Sequence, residues 1–326
     1  EKRVHLPFRL GRSSLVYGPP SGFREHTSTL LSRTPHIMDP EDELGFQIEF
    51  NSQVNDNLFL IVNYARSSRH TAFVNEVDEQ YNSTLRKKDH TQVFVPTTDN
   101  GFYPFHEGYA EVNYRYDQLM FTTGLSQSSE VMLYSALNVY KAGSSGWESE
   151  RSKLTEFFER RNLISIPSEL TLGLPRGFNI TLDVEHQWEA LELGTQVSYT
   201  LHGENRPDSL EAVNVDVVPY YYRYVALDIG KAPLFSVGFL FDHASRIKTG
   251  NFFNTDPEED NWLEEVLRRN EVDLTNKWFG IQGSFYITSS TVLSLFYGSI
   301  QGGLKCDSGV CVYVPGIDDA FTLALT

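Results

Sequence analysis

A chain of 326 residues with 22 Phe, 17 Tyr and 4 Trp against 3 Met has the aromatic richness of strands rather than helices. Its formal net charge of -16 and pI near 5.0 leave no dominant basic surface, which argues against a nucleic-acid partner. No apolar run approaches the roughly 18 residues of a transmembrane helix, which excludes helical spans and leaves transmembrane strands open.

Glu1 stands where a Met would begin a nascent chain, so the sequence reads as a processed or truncated product. Residues 1–24 are set apart as an N-terminal segment, the expected end of a missing portion, and 25–326 as one β-barrel. Alternation of apolar and polar side chains predicts about twelve strands in the latter. They fall near 25–35, 44–54, 57–69, 105–117, 119–129, 160–175, 178–191, 215–231, 234–247, 276–288, 290–305 and 311–326.

The pattern is clearest in FNITLDVEHQWE. Phe178, Ile180, Leu182, Val184, His186 and Trp188 share one face, while Asn179, Thr181, Asp183, Glu185, Gln187 and Glu189 share the other. ISIPSELTLGL, GFQIEFNSQV and YAEVNYRY repeat it. Many of these segments exceed the five or six residues of a common globular strand and match the ~9–11 that a tilted strand needs to cross a bilayer.

The connections alternate in length. Short ones fall at Asn55-Asp56, Tyr116-Asp117-Gln118, Pro175-Arg176-Gly177, Ala232-Pro233 and Ser289; longer ones at 36–43, 70–104, 130–159, 192–214, 248–275 and 306–310. Strict alternation predicts an up-and-down antiparallel barrel in a Gram-negative outer membrane, with short turns and both termini on the periplasmic side. A soluble all-β sandwich is the competing reading. The polar face carries Gln, Asn, Glu, Asp, Thr and Ser, as a hydrated lumen would. Its lining candidates are Gln47, Glu49, Glu111, Arg115, Glu169, Asp183 and Glu185, whose plainer role is to fill a narrow barrel with hydrogen bonds. Tyr and Trp near strand ends suit aromatic girdles.

Two long loops carry helical signals. In TDPEEDNWLEEVLRRNE, Asp256 can cap, Pro257 suits the first turn, and Trp262, Leu263, Val266 and Leu267 form an apolar stripe. SERSKLTEFFERR is the second, with Leu154, Phe157 and Phe158 on one side. Either stripe is covered by the barrel's own rim or by a partner protein.

The only cysteines, Cys306 and Cys311, flank DSGV at a hairpin tip. Residues paired across antiparallel strands lie ~4.5–5.5 Å apart at Cα, within reach of a disulfide, and an exported protein meets oxidising conditions. Free thiols or a chemical role are the alternatives. Zinc would want four ligands.

GGLKCDSGVCVYVPGIDDAFTLAL resembles the C-terminal signature of an uncharacterised outer-membrane β-barrel family of Bacteroidota and related phyla. The match falls on Gly302, Gly303, Cys306, Gly309, Val310, Cys311 and Pro315, with Val312 where the family usually has Arg. Upstream, ERRNLISIPSELTLGLPRGFNITLDVEHQW, RYVALDIGKAPLFSVGFLFD and TLLSRTPHIMDPEDELGFQIEF look like other strands of that family. The resemblance implies an outer-membrane barrel, longer at the N-terminus, with fourteen or more strands in the full protein. It implies no activity and transfers no functional residue.

No catalytic residue, metal ligand or cofactor site is expected. His186 and Glu185 are adjacent on a strand and face opposite ways. No phosphate-binding glycine loop or haem attachment motif is present, and the acidic stretches at 39–43 and 256–261 lack calcium-loop spacing. A serine hydrolase embedded in the membrane is a weak third possibility. The expected function is a channel or transport barrel, not an enzyme. The alternative is a structural subunit of a larger envelope complex, its loops binding other outer-membrane or periplasmic proteins. Outer-membrane lipid or lipopolysaccharide surrounds it in either case.

Overall fold

The computed structural model describes residues 28–34, 36, 42–78, 82–88, 95–141, 151–201, 207–231, 233–246, 277–288, 291–301, 303–307, 310–314 and 317–325. Among these residues one short helix, α1 (Thr29–Arg33), precedes fifteen strands. They are β1 (Glu43–Asn55), β2 (Leu58–Arg69), β3 (Ala72–Val77), β4 (Ser83–Lys88), β5 (Phe105–Tyr116), β6 (Leu119–Lys141), β7 (Arg151–Leu174) and β8 (Phe178–Leu201). Then come β9 (Pro207–Lys231), β10 (Phe235–Arg246), β11 (Lys277–Thr288), β12 (Thr291–Ile300), β13 (Gly303–Asp307), β14 (Val310–Val314) and β15 (Ile317–Leu325).

The main sheet runs β1-β2-β5-β6-β7-β8-β9-β10-β11-β12-β15, and every step along that path is antiparallel. Each short connection expected from the sequence joins neighbours on this path. At two of them the backbone enters left-handed space: Asp117 at φ 52°, and Arg176 and Gly177 at φ 67° and 78°. Gly177 carries the larger positive φ at no steric cost.

The side chains are arranged inside out. Buried positions include Asn63, Ser67, Ser126, Ser165, Glu185 and Gln187, whereas Ile48, Phe279 and Phe321 are 63%, 62% and 67% exposed. Strand alternation places these two sets on opposite faces. Water excludes large apolar groups from a soluble surface, so a face this greasy is matched to hydrocarbon. The chain folds as the wall of an up-and-down β-barrel, polar within and apolar without.

Curvature follows from contacts of the segment around α1. Arg33 pairs with Asp242 on β10, and His36, three residues later, pairs with Glu43 on β1. On a flat sheet the seven strand spacings from β1 to β10 amount to about 34 Å. Three residues span about 10 Å of chain, and because the wall side chains stand roughly perpendicular to the sheet, only the reach of Arg33 and His36 adds to it laterally, less than the remainder. The sheet therefore curls around the segment.

Several expectations are corrected. Of the strand expected at 25–35, residues 28–34 form a capped helix instead: Ser28 caps α1 through its Oγ, which accepts from the Leu31 amide, and Leu30 and Leu31 are both buried. From Arg151 on, SERSKLTEFFERR is not a helix either. Those residues run along β7, paired with β6 on one side and β8 on the other, and that pairing overrides local helix preference. The helix expected at 256–267, with Trp262, Leu263, Val266 and Leu267, lies outside the described residues.

Strands β6 to β9 hold 23, 24, 24 and 25 residues, so they continue through stretches expected as loops. At ~3.3 Å per residue and a tilt near 40° they rise about 60 Å, well beyond a hydrocarbon band of ~25 Å. The projecting part has its own small core of Val131, Tyr134, Ala136 and Phe158, joined by Val74, Tyr103 and Leu154. The β3–β4 hairpin, within the long connection 70–104, lies parallel to β6 there through Asn75–Val77.

The last hairpin is not continuous. β12 pairs with β15, and β13–β14 form a separate two-stranded ribbon. Gly302-Gly303 and Pro315-Gly316 punctuate the sequence at these breaks, and a Pro cannot donate to a ladder. The ribbon register sets Cys306 opposite Cys311. The bridge between them stays a proposal.

Candidate functional site

The inner face and the segment it encloses make the candidate site. Glu185 is the most deeply buried carboxylate among the described residues, 1% exposed. Its Oε1 accepts from the Thr29 amide and its Oε2 from the Leu30 amide, both at 2.6 Å. The first N–H groups of a helix have no partner within it, so a carboxylate there satisfies two donors and meets the positive end of the dipole.

Four residues on, the other end of α1 is fastened too. The Arg33 guanidinium donates to Asp242 Oδ2 at 2.6 Å and Gln301 Oε1 at 3.0 Å, and lies 6.0 Å from the Tyr224 ring centroid. Gln187 donates to Ser165 Oγ at 2.9 Å and to Thr34 Oγ1 at 3.5 Å.

His36 forms the third fastening. Its Nδ1 lies 2.8 Å from Glu130 Oε1 and its Nε2 2.6 Å from Glu43 Oε1. The ring stacks on Phe105 at 4.0 Å between centroids, and Arg161 donates to the far oxygen of Glu130 at 2.8 Å. Burial by itself would lower the imidazole's pKa; hydrogen bonds and charge from Glu130 and Glu43 outweigh it and push it up to about 9. The segment thus spans the lumen between three anchors: Glu185 on β8, Asp242 on β10, and Glu43 with Glu130 on β1 and β6.

The sequence-derived lining candidates share this inner face but differ in setting. Glu185 anchors α1. Asp183 and Glu169 are half-buried and are cross-strand partners. Glu111 accepts from Asn113 at 2.7 Å and from the Tyr109 hydroxyl. Gln47, Glu49 and Arg115 are exposed, the first two on the edge strand β1. Of the partner-binding candidates, Phe158 is buried in the projecting core and Phe157 is 50% exposed on the opposite face of β7.

Sequence reasoning missed Arg33, His36, Glu43, Glu130 and Asp242. Alternation along FLFDHAS already turns Asp242 inward, so that position was open to detection. Arg33 was not, because its segment read as another strand, and neither was His36, which opened the connection expected at 36–43. Among the described residues no cluster of three or more His, Cys, Asp or Glu side chains is arranged to hold a metal.

No family model and no curated protein matches the chain. Solved structures similar to it include the RagAB peptide transporter, with 11% identity and a TM-score of 0.41 over 87% of this chain and 36% of that one. BauA, the ferric preacinetobactin receptor from Acinetobacter baumannii, shows 12% identity and a TM-score of 0.38 over 84% and 42%. RagAB in its closed-closed state gives 10% and 0.41. The chain spans about two fifths or less of the length of these proteins. Likeness this distant carries nothing about activity.

Proposed function

We propose that the chain is an integral outer-membrane β-barrel protein that acts as a transport barrel, with the segment 28–36 as its internal gate. The observation that carries the reading is the inside-out polarity: buried Glu185, Asn63 and Ser126 within, exposed Ile48, Phe279 and Phe321 without. A hydrated polar lumen is what a solute path requires, and three charge-based anchors are a means of closing it reversibly. Each anchor joins the segment to the wall through a side chain, so the segment can leave without breaking a ladder hydrogen bond.

Planar-bilayer recording tests this. The unaltered protein should conduct rarely, and a variant carrying Glu185→Gln and Arg33→Gln should give frequent, stable current steps. Silence from both proteins would contradict the transport reading.

A second reading, a non-enzymatic scaffold in an envelope complex, draws on the projecting strands. Phe73, Leu85, Met132, Leu133 and Phe157 are 49%, 69%, 46%, 57% and 50% exposed there, beyond the hydrocarbon band. Apolar groups facing water at that height suit a protein partner. Copurification from mild detergent, followed by mass determination of the particle, separates the readings: a single-chain particle speaks against the scaffold.

A further inference from the structure

Asp242, which anchors Arg33, stands in a pocket with its own chemistry. Its cross-strand partners are Tyr224 on β9 and Trp278 on β11, so a carboxylate lies between two aromatic residues on the inner face. Gln301, just beyond β12, adds an amide oxygen 3.0 Å from Arg33 Nη1. We infer that this pocket recognises a guanidinium-bearing solute, whose place Arg33 takes while the segment 28–36 is seated. The inference rests on the transport reading above and names the class of its solute.

Arg33 leaves the pocket partly unmet. Its two terminal nitrogens go to different acceptors, Nη2 to Asp242 Oδ2 at 2.6 Å and Nη1 to Gln301. Asp242 is 5% exposed, and its other oxygen, Oδ1, has no hydrogen-bond partner among the described residues. A carboxylate can accept two parallel bonds from one planar guanidinium, and a buried acceptor without a donor costs free energy. The direction from which Arg33 arrives is set by α1, whose first amides are bound to Glu185. A guanidinium that is not tethered to α1 is free to turn one edge to both oxygens.

The surroundings select this ligand chemistry over others. The Arg33 guanidinium lies 6.0 Å from the Tyr224 ring centroid, at the range where a ring face attracts a cation. One carboxylate and one amide oxygen are too few ligands for a metal ion. An ammonium is a compact point charge with no planar edge to match to two oxygens. Towards the short turns, the inner-facing charges of the described strand residues are Glu49, Glu111, Glu169, Asp183 and Asp228 against one cation, Arg115. A corridor of one sign concentrates solutes of the other. Displacing Arg33 also removes one of the three fastenings of the segment, so the solute unlocks the path that it then enters.

The test uses the full chain in mild detergent, with labelled agmatine as the probe in equilibrium dialysis. Arg33→Gln, which vacates the pocket, should bind agmatine about tenfold more tightly than the unaltered protein, because a tethered competitor acts at an effective concentration of roughly millimolar. Adding Asp242→Asn should abolish that gain. Should this second variant fail to fold, Tyr224→Leu on the Arg33→Gln background, which removes the ring face, should weaken binding instead. Putrescine, with an ammonium in place of the guanidinium, should compete far more weakly than unlabelled agmatine. Equal binding by Arg33→Gln and the unaltered protein, a gain that survives both Asp242→Asn and Tyr224→Leu, or putrescine competing as well as agmatine would overturn the inference. Planar bilayers separate it from the reading beneath it. Millimolar agmatine should make openings of the unaltered protein more frequent, and equal sodium should not. If the Glu185→Gln, Arg33→Gln variant conducts while agmatine leaves the unaltered protein closed, transport stands and this inference falls. Silence from that variant as well overturns both.

Discussion

Glu185 and His36 hold the enclosed segment by different physics, and the two separate by experiment. Glu185→Ala would leave two buried amides without acceptors, a cost of about 1–3 kcal/mol for each group. Amide exchange at Thr29 and Leu30 should then accelerate by tenfold or more, while exchange in β8 stays near that of the unaltered protein. His36 has its pKa raised above the ordinary value of 6.5, to about 9, by Glu130 and Glu43. A raised folded-state value stabilises fully below about 6.5 and is lost as pH rises through about 9. Protease cleavage within 28–36 should therefore be slow at pH 6 and quicken towards pH 10, and His36→Asn should flatten that profile. Cleavage that is equally fast at both pH values in the unaltered protein would contradict the assignment.

Strands β6 to β9 show which part of the fold the sequence displays and which it hides. Period-two alternation at 178–189 identified β8 and both of its faces, because strand geometry forces that pattern wherever one side meets hydrocarbon and the other water. Above the bilayer that contrast weakens. Leu154, Phe157 and Phe158 then have helix-like spacing, and only cross-strand partners such as Phe158–Gly194 decide the outcome. A Cβ on Gly194 would come within 2.1 Å of the Phe158 ring. Gly194→Val should cost about 1–3 kcal/mol by forcing that ring from the projecting core. Hydrogen exchange should detect the loss in 151–160 and 192–201, with the membrane-level residues 165–185 unaffected. The ribbon β13–β14 offers a separate check. Its register places Cys306 and Cys311 for a disulfide, which would lower the unreduced mass by 2 Da, about two hydrogens. Because the closed loop is small, Cys306→Ser should change overall stability little.

At the scale of the whole molecule, eleven strands follow one another in alternating directions from β1 to β15. The first and last of an odd-numbered alternating run point the same way, so a fully antiparallel ring takes an odd number of further strands. Among the described residues no pairing joins β1 to β15. The alternation of short turns with longer excursions was legible because turn chemistry is local. Plugging of the lumen was not, since Arg33 meets Asp242 across 209 residues of sequence. Spin labels read by two quenchers test the central claim, that the apolar face meets lipid and the polar face the lumen. Labels at Ile48, Leu125, Phe239 and Ile281 in liposomes should be relaxed by lipid-soluble oxygen and shielded from an aqueous nickel complex. Labels at Asp183, Glu169 and Asp228 should be shielded from oxygen. Outward labels that respond to nickel as strongly as inward ones would contradict a membrane barrel.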